Sequence, residues 1–422
     1  MVTIDSIKGM NDILPNNIEL WQFLEQTIRQ VMHQFAYNEI RTPILEQTSL
    51  FARSIGDATD IVSKEMFTFE DRLGKQSWSM RPEGTASCVR ACMQHALVSN
   101  QQQQKLWYMG SMFRYERPQK GRYRQFNQLG VETFNVSNPM AEVEQLCMLD
   151  DLWRKLGIND LLTLEINCIG NKQSRELYKE NFVKFLQPKF DELDGDSQQR
   201  LTTNPLRILD SKNERTQELL AMAPSIIDFL DDESKKDYEF LKQQLDSLDI
   251  KYVENNKLVR GLDYYNKSVF EWTTTHLGAQ SAVCGGGRYD HLVEQLGGEY
   301  TPATGFAIGL ERLILLLETK PLSKNESIAY LICTGEPEAH KILLAKKIRE
   351  KCANLSLIMN LQENANFRNQ FKKADKNGAR WAFIVGDDEF NNSEISIKYL
   401  RSDKKQITLK LEDLSYSHLE DC

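Results

Sequence analysis

Four arginines of this 422-residue chain stand at positions that could face a ligand: Arg114 on a strand, Arg122 in a basic loop, Arg260 beside a glycine and Arg312 at a helix start. A guanidinium is a rigid fork of donors that fits phosphate oxygens, and each charge-assisted contact contributes about 1.5–3 kcal/mol. Arg260 lies in Leu258-Val-Arg-Gly-Leu-Asp-Tyr-Tyr-Asn266, beside a glycine that lets backbone approach a ligand closely. A glycine turn with Tyr264 and Tyr265 packed on a core is the competing reading of that stretch. Gly309 interrupts the strand Thr304–Ile308, which puts Arg312 on the first turn of the apolar helix Leu310–Leu317. There its charge adds to the positive end of the helix, a ready phosphate site. Glu83, in Arg81-Pro-Glu-Gly-Thr85, opens another helix. Its carboxylate either caps that helix or offers its charge to an ammonium group.

Common nucleotide and hydrolase signatures are missing. There is no Gly-x-x-x-x-Gly-Lys-Ser/Thr, and Val283-Cys-Gly-Gly-Gly-Arg-Tyr-Asp290 fails Gly-x-Gly-x-x-Gly. Its three consecutive glycines leave no side-chain wall, as expected beneath a substrate. Neither Gly-x-Ser-x-Gly nor His-Glu-x-x-His occurs. If a triphosphate binds here, arginines and an antiparallel sheet hold it.

That sheet must carry Arg114 and Arg122. Trp107–Phe113 and Gln125–Glu132 read as the strands of a long hairpin around a Pro/Gly loop holding Arg117, Lys120, Arg122 and Arg124. Alternation along the strands projects Arg114, Phe126, Gln128 and Glu132 from the sheet. A solvated basic tip on an edge hairpin is the bland alternative. Against it stand the acidity of the whole chain and the placing of Gln128 and Glu132 on one face with an aromatic ring.

Elsewhere Leu20, Phe23, Leu24, Ile28, Val31, Met32 and Phe35 form an apolar helical stripe ending near Ala36–Asn38. Ile40–Leu45 reads as a strand confined to an edge or interface by Pro43. Phe67–Phe69 and Ser77–Met80 pair around a turn, and the helix after Thr85 carries Cys88, Val89, Cys92 and Leu97. Met140–Leu156 is helix and Leu161–Ile169 strand. A polar, mainly helical segment covers 171–249, and strands resume at Tyr252. Pro321–Asn325 is a polar break, followed by alternating strands and helices that imply an α/β module.

Composition bounds the rest. Two or three domains are expected at this length. With 41% hydrophobic and 27% charged residues, the chain has ordinary globular content. A net charge of −8 disfavours indiscriminate polyanion binding, so a nucleic-acid partner must meet local basic patches. The eight cysteines form no Cys-x-x-Cys and complete no zinc pattern, which suggests reduced thiols in a reducing compartment. No signal-peptide core and no membrane-spanning run is present, so no membrane partner and a cytoplasmic location are expected.

Taken together these stretches resemble the class II aminoacyl-tRNA synthetases, and within them the histidine–tRNA ligase family. The hairpin resembles their second signature motif, Gly305-Phe-Ala-Ile-Gly-Leu-Glu-Arg312 the third, and the first helix with Ile40-Arg-Thr-Pro43 the first, or dimer, motif. Arg81-Pro-Glu-Gly-Thr85, Leu258–Tyr265 and Gly286-Gly-Arg-Tyr-Asp290 resemble stretches peculiar to the histidine enzymes. The resemblance spans nearly the whole chain and implies an α+β fold: a class II antiparallel sheet flanked by helices, with a helical insertion and a C-terminal α/β anticodon-binding domain. It implies a catalytic domain in two parts, 1–170 and 250–322, an insertion at 171–249 and the anticodon module at 326–422.

By the same resemblance the chain activates histidine with ATP and passes it to its tRNA, with Mg²⁺ beside the ATP, no protein-held metal, and a homodimer. Arg114 and Arg260 would meet the α-phosphate, Phe126 would stack on adenine, and Arg122 and Arg312 would meet the γ-phosphate. Glu83, Thr85 and Gln128 would receive the histidine ammonium, and Glu132 with Tyr264 and Tyr265 its imidazole. Gln119 and Arg124 would lie near the tRNA acceptor end. Two places depart from the family pattern: Asn127 stands where His is more usual, and Gln362–Asn366 is less glycine-rich. The alternative is the regulatory subunit of ATP phosphoribosyltransferase, a non-catalytic relative that lacks the C-terminal module.

Overall fold

The computed structural model describes residues 4–419 except 57, 58, 60, 73, 100, 279, 280, 320–326 and 363–365. The break expected at Pro321–Asn325, most of the 362–366 turn and Cys422 lie outside the described residues. The chain divides into two compact units, 1–321 and 322–422.

In the first unit the strands are β1 (Asn38–Glu39), β2 (Leu45–Gln47), β3 (Thr68–Glu70), β4 (Ser77–Met80), β5 (Gln104–Phe113), β6 (Gln125–Phe134), β7 (Thr163–Cys168), β8 (Tyr252–Glu254), β9 (Asn266–Thr273), β10 (Ala282–Arg288) and β11 (Ala303–Gly309). Eight of them form one sheet in the order β1-β5-β6-β11-β10-β9-β7-β8. The six central strands run antiparallel to their neighbours, and the short strands β1 and β8 pair in parallel at the two edges. Strands β2, β4 and β3 make a small separate sheet.

Alternation along the strands assigns the two faces. Leu129 and Val131 of β6, Trp107 of β5, Phe306 and Ile308 of β11 and Phe270 of β9 pack on one side. They meet the helices Pro15–Gln34, Met140–Leu156 and Leu310–Leu317 through Trp21, Leu24, Leu149, Trp153 and Leu313. Each fully buried Leu or Phe of such a layer contributes about 1.5–3 kcal/mol. The intervening residues, Gln128, Gly130 and Glu132 among them, are thereby turned to the opposite face. The 172–247 segment is built from helices Lys172–Leu186, Gly195–Thr203, Glu214–Leu220 and Asp232–Ser247. Tyr178, Phe182 and Leu186 of its first helix share a core with Tyr264, Tyr265 and Tyr289.

Two local expectations change. Ile40–Leu45 is not one strand: pairing stops at Glu39 and resumes at Leu45, because Pro43 lies between and has no N–H to donate. The helix after Gly84 ends at Gln94, so Leu97 lies beyond it. The triple glycine forms the middle of β10, paired on both sides. A side chain at Gly286 would strike Gly305, and one at Gly287 the Ser268 carbonyl, so these two glycines serve close strand packing.

Among its described residues the second unit has five strands: β12 (Ile328–Cys333), β13 (Ser356–Met359), β14 (Trp381–Val385), β15 (Glu394–Tyr399) and β16 (Ile407–Lys410). Their order is β13-β12-β14-β15-β16, parallel for the first three and antiparallel thereafter. Helix Pro337–Lys351 buries Leu344, Ala345 and Ile348 with Leu331, Trp381 and Phe383 of one face. Helix Phe367–Lys376 brings Ala374 to Tyr330, Ile332 and Ala382 of the other.

Candidate active site

Above the polar face of the first sheet lies a cavity of about 220 Å³. It gathers Glu83, Thr85, Arg114, Arg122, Phe126, Gln128, Arg260, Tyr264, Tyr265 and Arg312, residues from five separate stretches of the sequence. A larger open depression of about 910 Å³, lined in part by Ile40, Pro43, Leu50, Met93 and Leu296, contains none of the predicted site residues.

Each arginine is aimed by a local anchor. Arg114 follows the end of β5; its Nε donates to the Pro82 carbonyl (2.9 Å) and its guanidinium lies 5.2 Å from the Phe126 ring centroid. Arg260 is ion-paired with Glu271 of β9. Burial opposes its charge, but Glu271 together with Tyr265 and Cys284 outweighs burial and holds it above the ordinary arginine range. Arg312, two residues into its helix, donates to the carbonyls of Gly121 (3.2 Å) and Ala282. Burial, then the neighbouring charge of Arg114 and of Arg122, lowers it to about 10. Arg122 pairs with Glu116 and, at 3.4 Å, with Glu65. Cations crowd this cavity closely enough to depress one another, as befits a receptor for a multiply charged anion.

The carboxylates divide into two kinds. Glu83 accepts the N–H groups of Thr85 (2.6 Å) and Ala86 (2.9 Å), so it caps the helix Thr85–Gln94 while lining the cavity. Burial raises its pKa. Glu132 is sunk beneath the cavity, 1% exposed, and accepts the hydroxyls of Thr85, Tyr108 and Tyr289. Burial pushes it up to about 8 against those donors. Glu132 is not itself among the residues lining the cavity, but Thr85, which donates to it, is. Among the described residues lining the cavity, two buried polar atoms have no hydrogen-bond partner, Gln128 Oε1 and Arg260 Nε. An orphaned buried group of this sort costs free energy unless something else satisfies it.

Gln119 and Arg124 do not line the cavity. Gln119 is exposed and exchanges both backbone hydrogen bonds with Arg122 (3.0 and 2.9 Å), which closes the hairpin tip. Arg124 is spent on structure: its guanidinium sits 4.1 Å from the Tyr115 ring centroid and its Nε donates to the Glu116 carbonyl.

Sequence reasoning overlooked four groups. Glu271 anchors Arg260, and Tyr108 and Tyr289 hold Glu132. Glu311 accepts the Asn127 N–H (2.8 Å) and Nδ2 (3.1 Å) and is raised by burial to about 7. Tyr289 is steadied from behind by its neighbour Arg288, whose five N–H donors go to Glu142, Asp290 and the carbonyls of Val136 and Asn138. Only the period-2 pattern on β9 could have singled out Glu271, as a carboxylate between Phe270 and Trp272 that faces the site.

A family model described as "Histidyl-tRNA synthetase" matches residues 9–313, and one described as "Anticodon binding domain" matches 329–416. Among solved structures, apo histidyl-tRNA synthetase of S. aureus is 35% identical with a TM-score of 0.80, covering 97% of this chain and 98% of that one. Histidyl-tRNA synthetase of Nostoc sp. is 20% identical (TM-score 0.70), covering 99% of both chains. A Bacillus halodurans protein titled as an ATP phosphoribosyltransferase regulatory subunit/histidyl-tRNA synthetase is 21% identical (TM-score 0.63), covering 92% of this chain and 98% of that one. The last two likenesses speak for the fold. With the antiparallel sheet, the arginine-lined cavity and the C-terminal α/β unit, the matches place this chain in the histidyl-tRNA synthetase family of class II aminoacyl-tRNA synthetases.

Proposed function

We propose that the chain activates histidine with ATP and transfers it from the histidyl-adenylate to its cognate tRNA, releasing AMP and pyrophosphate. The observation that carries this reading is the convergence of Arg114, Arg122, Arg260 and Arg312 on one cavity. Activation is in-line attack of the histidine carboxylate on the α-phosphorus, with pyrophosphate leaving. Two anions must meet, and negative charge grows on the phosphate oxygens. Preorganised cations lower that barrier, and losing one such donor typically costs about 10²–10³ in rate. Arg114 and Arg260 serve the α-phosphate, Arg122 and Arg312 the γ-phosphate, and Phe126 the adenine face. Glu83, Thr85 and Gln128 take the ammonium; Tyr264 and Tyr265 with Glu132 take the imidazole. A pocket that hydrogen-bonds its substrate can reject analogues lacking those groups by about 10⁴–10⁵.

Among the described residues no three His, Cys, Asp or Glu side chains gather into a metal cage. Mg²⁺ usually keeps its waters and rides on substrate phosphates, which suits such a site. Of the cavity glutamates Glu83, Glu116, Glu271 and Glu311, the last two would supply further oxygens to it. When bound it neutralises phosphate charge.

Within this reading 1–170 and 250–322 form the catalytic domain, 171–249 its insertion and 326–422 the anticodon module. Gln119 at the exposed hairpin tip meets the tRNA acceptor end; Arg124 supports that tip. The open apolar depression beside Pro43, with Ile44 and Leu45 exposed, suits burial against a second copy in a homodimer. Cys88, Cys92, Cys147, Cys168, Cys284, Cys333 and Cys352 are free, in keeping with the reducing cytoplasm. Arg260 in the cavity favours catalysis over the regulatory-subunit alternative; the C-terminal unit does not separate the two, because the Bacillus halodurans protein titled in part as that subunit covers 92% of this chain. The test is ATP–pyrophosphate exchange across the standard amino acids. Histidine alone should drive it; exchange with none would end the catalytic reading, and exchange with another amino acid would end the specificity.

A further inference from the structure

Glu132 faces Gly305 across the β6–β11 pair, and any side chain at Gly305 would strike its Oε2. Oε1 accepts from Thr85 Oγ1 at 2.8 Å and from the Tyr108 hydroxyl at 2.9 Å, while Oε2 accepts from the Tyr289 hydroxyl. A carboxylate has about four lone-pair sites, two on each oxygen. The protein therefore fills Oε1 and leaves a single acceptor site on Oε2.

None of the three donors is free to swing away. The Tyr108 ring is wedged between Gly84 and Gly130, at either of which a side chain would collide with it. Tyr289 is flanked by Arg288 and Asp290, which are ion-paired to each other, and Arg288 is also paired to Glu142. Thr85 begins a buried helix. Tyr108 itself is 3% exposed and does not line the cavity, so sequence position and cavity lining both conceal it.

We propose that Tyr108, acting with Thr85 and Tyr289, is a positioning residue that presents Glu132 as a carboxylate with one open acceptor site, sized for a single ring N–H of the amino-acid substrate. The proposal rests on the histidine reading above. Hydroxyl donors favour the ionised carboxylate, and that is their service here, because burial and the nearby Glu83 oppose ionisation. The other titratable groups that face Glu132 are Cys88 from the helix Thr85–Gln94, Tyr264 and Tyr265 from the stretch before β9, and Tyr289 after β10. All are uncharged in their ordinary state at neutral pH, so the three hydroxyls carry the stabilisation at close range.

Tyr108→Phe keeps the ring between its two glycines and removes only the O–H. In the full chain, the variant should raise the histidine KM of pyrophosphate exchange by about ten- to a hundredfold, the usual range for one hydrogen bond to a charged group. The ATP KM should stay unchanged. The pH at which the histidine KM levels off should move upward, as should the midpoint of the Glu132 carboxyl carbon resonance in the ligand-free protein. A merely structural role would reduce folded protein or overall rate without moving that midpoint. An unmoved midpoint with a normal histidine KM would overturn the proposal. Tyr289→Phe gives the same readouts from Oε2 should Tyr108→Phe fold poorly. The resonance needs no substrate, so a parent chain without histidine-driven exchange would sink the function while leaving the clamp to be judged by its midpoint.

Discussion

The guanidinium of Arg260 occupies the space that a side chain at Gly285 would need. Glycine there is a condition for the arginine's position. Gly285→Ala should push the flexible end of Arg260 aside while leaving β10 paired. Pyrophosphate exchange should fall by about 10²-fold or more, with thermal unfolding nearly unchanged. Normal exchange in this variant would remove Arg260 from the phosphate site.

Glu132 ties function to a stability cost. Its carboxyl is raised by burial from an ordinary 4.5 to about 8. Between those values the native state keeps a proton that the unfolded chain has lost. Stability therefore falls as pH rises through that window and levels off above it. Glu132→Gln keeps an acceptor for Thr85 and Tyr108 but cannot ionise. Its melting temperature should exceed that of the parent at pH 9 and approach it at pH 4, while histidine binding is lost. Parallel melting curves for the two proteins across that range would refute the assignment.

Arg288 and Glu142 are 1% and 0% exposed, respectively. Removing one member strands the other without water. Arg288→Met should cost about 3–5 kcal/mol in urea unfolding, and adding Glu142→Leu should recover much of the loss. Strictly additive losses would show that the pair does not act as a unit.

Arg312 is lowered to about 10 by burial and by the adjoining arginines. A polyphosphate relieves that repulsion and binds only the folded form. Pyrophosphate should raise the melting temperature more than chloride at equal ionic strength. Arg312→Gln should shrink that rise. An equal response to both salts would argue against a built anion site.

Much of this was legible in local pattern. Strand alternation placed Phe126, Gln128 and Glu132 on one face, and a glycine ahead of an apolar run put Arg312 at a helix start; both appear in the structure. What stayed hidden depends on contacts between distant residues. Tyr289 meets Glu132 across 157 positions, and Tyr108 meets it across 24. No period within either stretch records that they converge. The same limit hid why Gly285–Gly287 must be glycine: the clashes that demand it come from Arg260, Gly305 and Ser268, each on another segment. Arg124 looked available because its charge was visible and the Tyr115 ring that it covers was not.

The seat of Tyr108 between Gly84 and Gly130 also constrains the order in which this protein can change. While the ring is present, neither glycine can acquire a side chain. Once the ring is lost, the nearest obstruction at each glycine goes with it, and an alanine gained at either would bar the ring's return. Descendant lineages should therefore shed the tyrosine first and the glycines afterwards, and a lineage that has taken both steps cannot regain the hydroxyl by a single substitution.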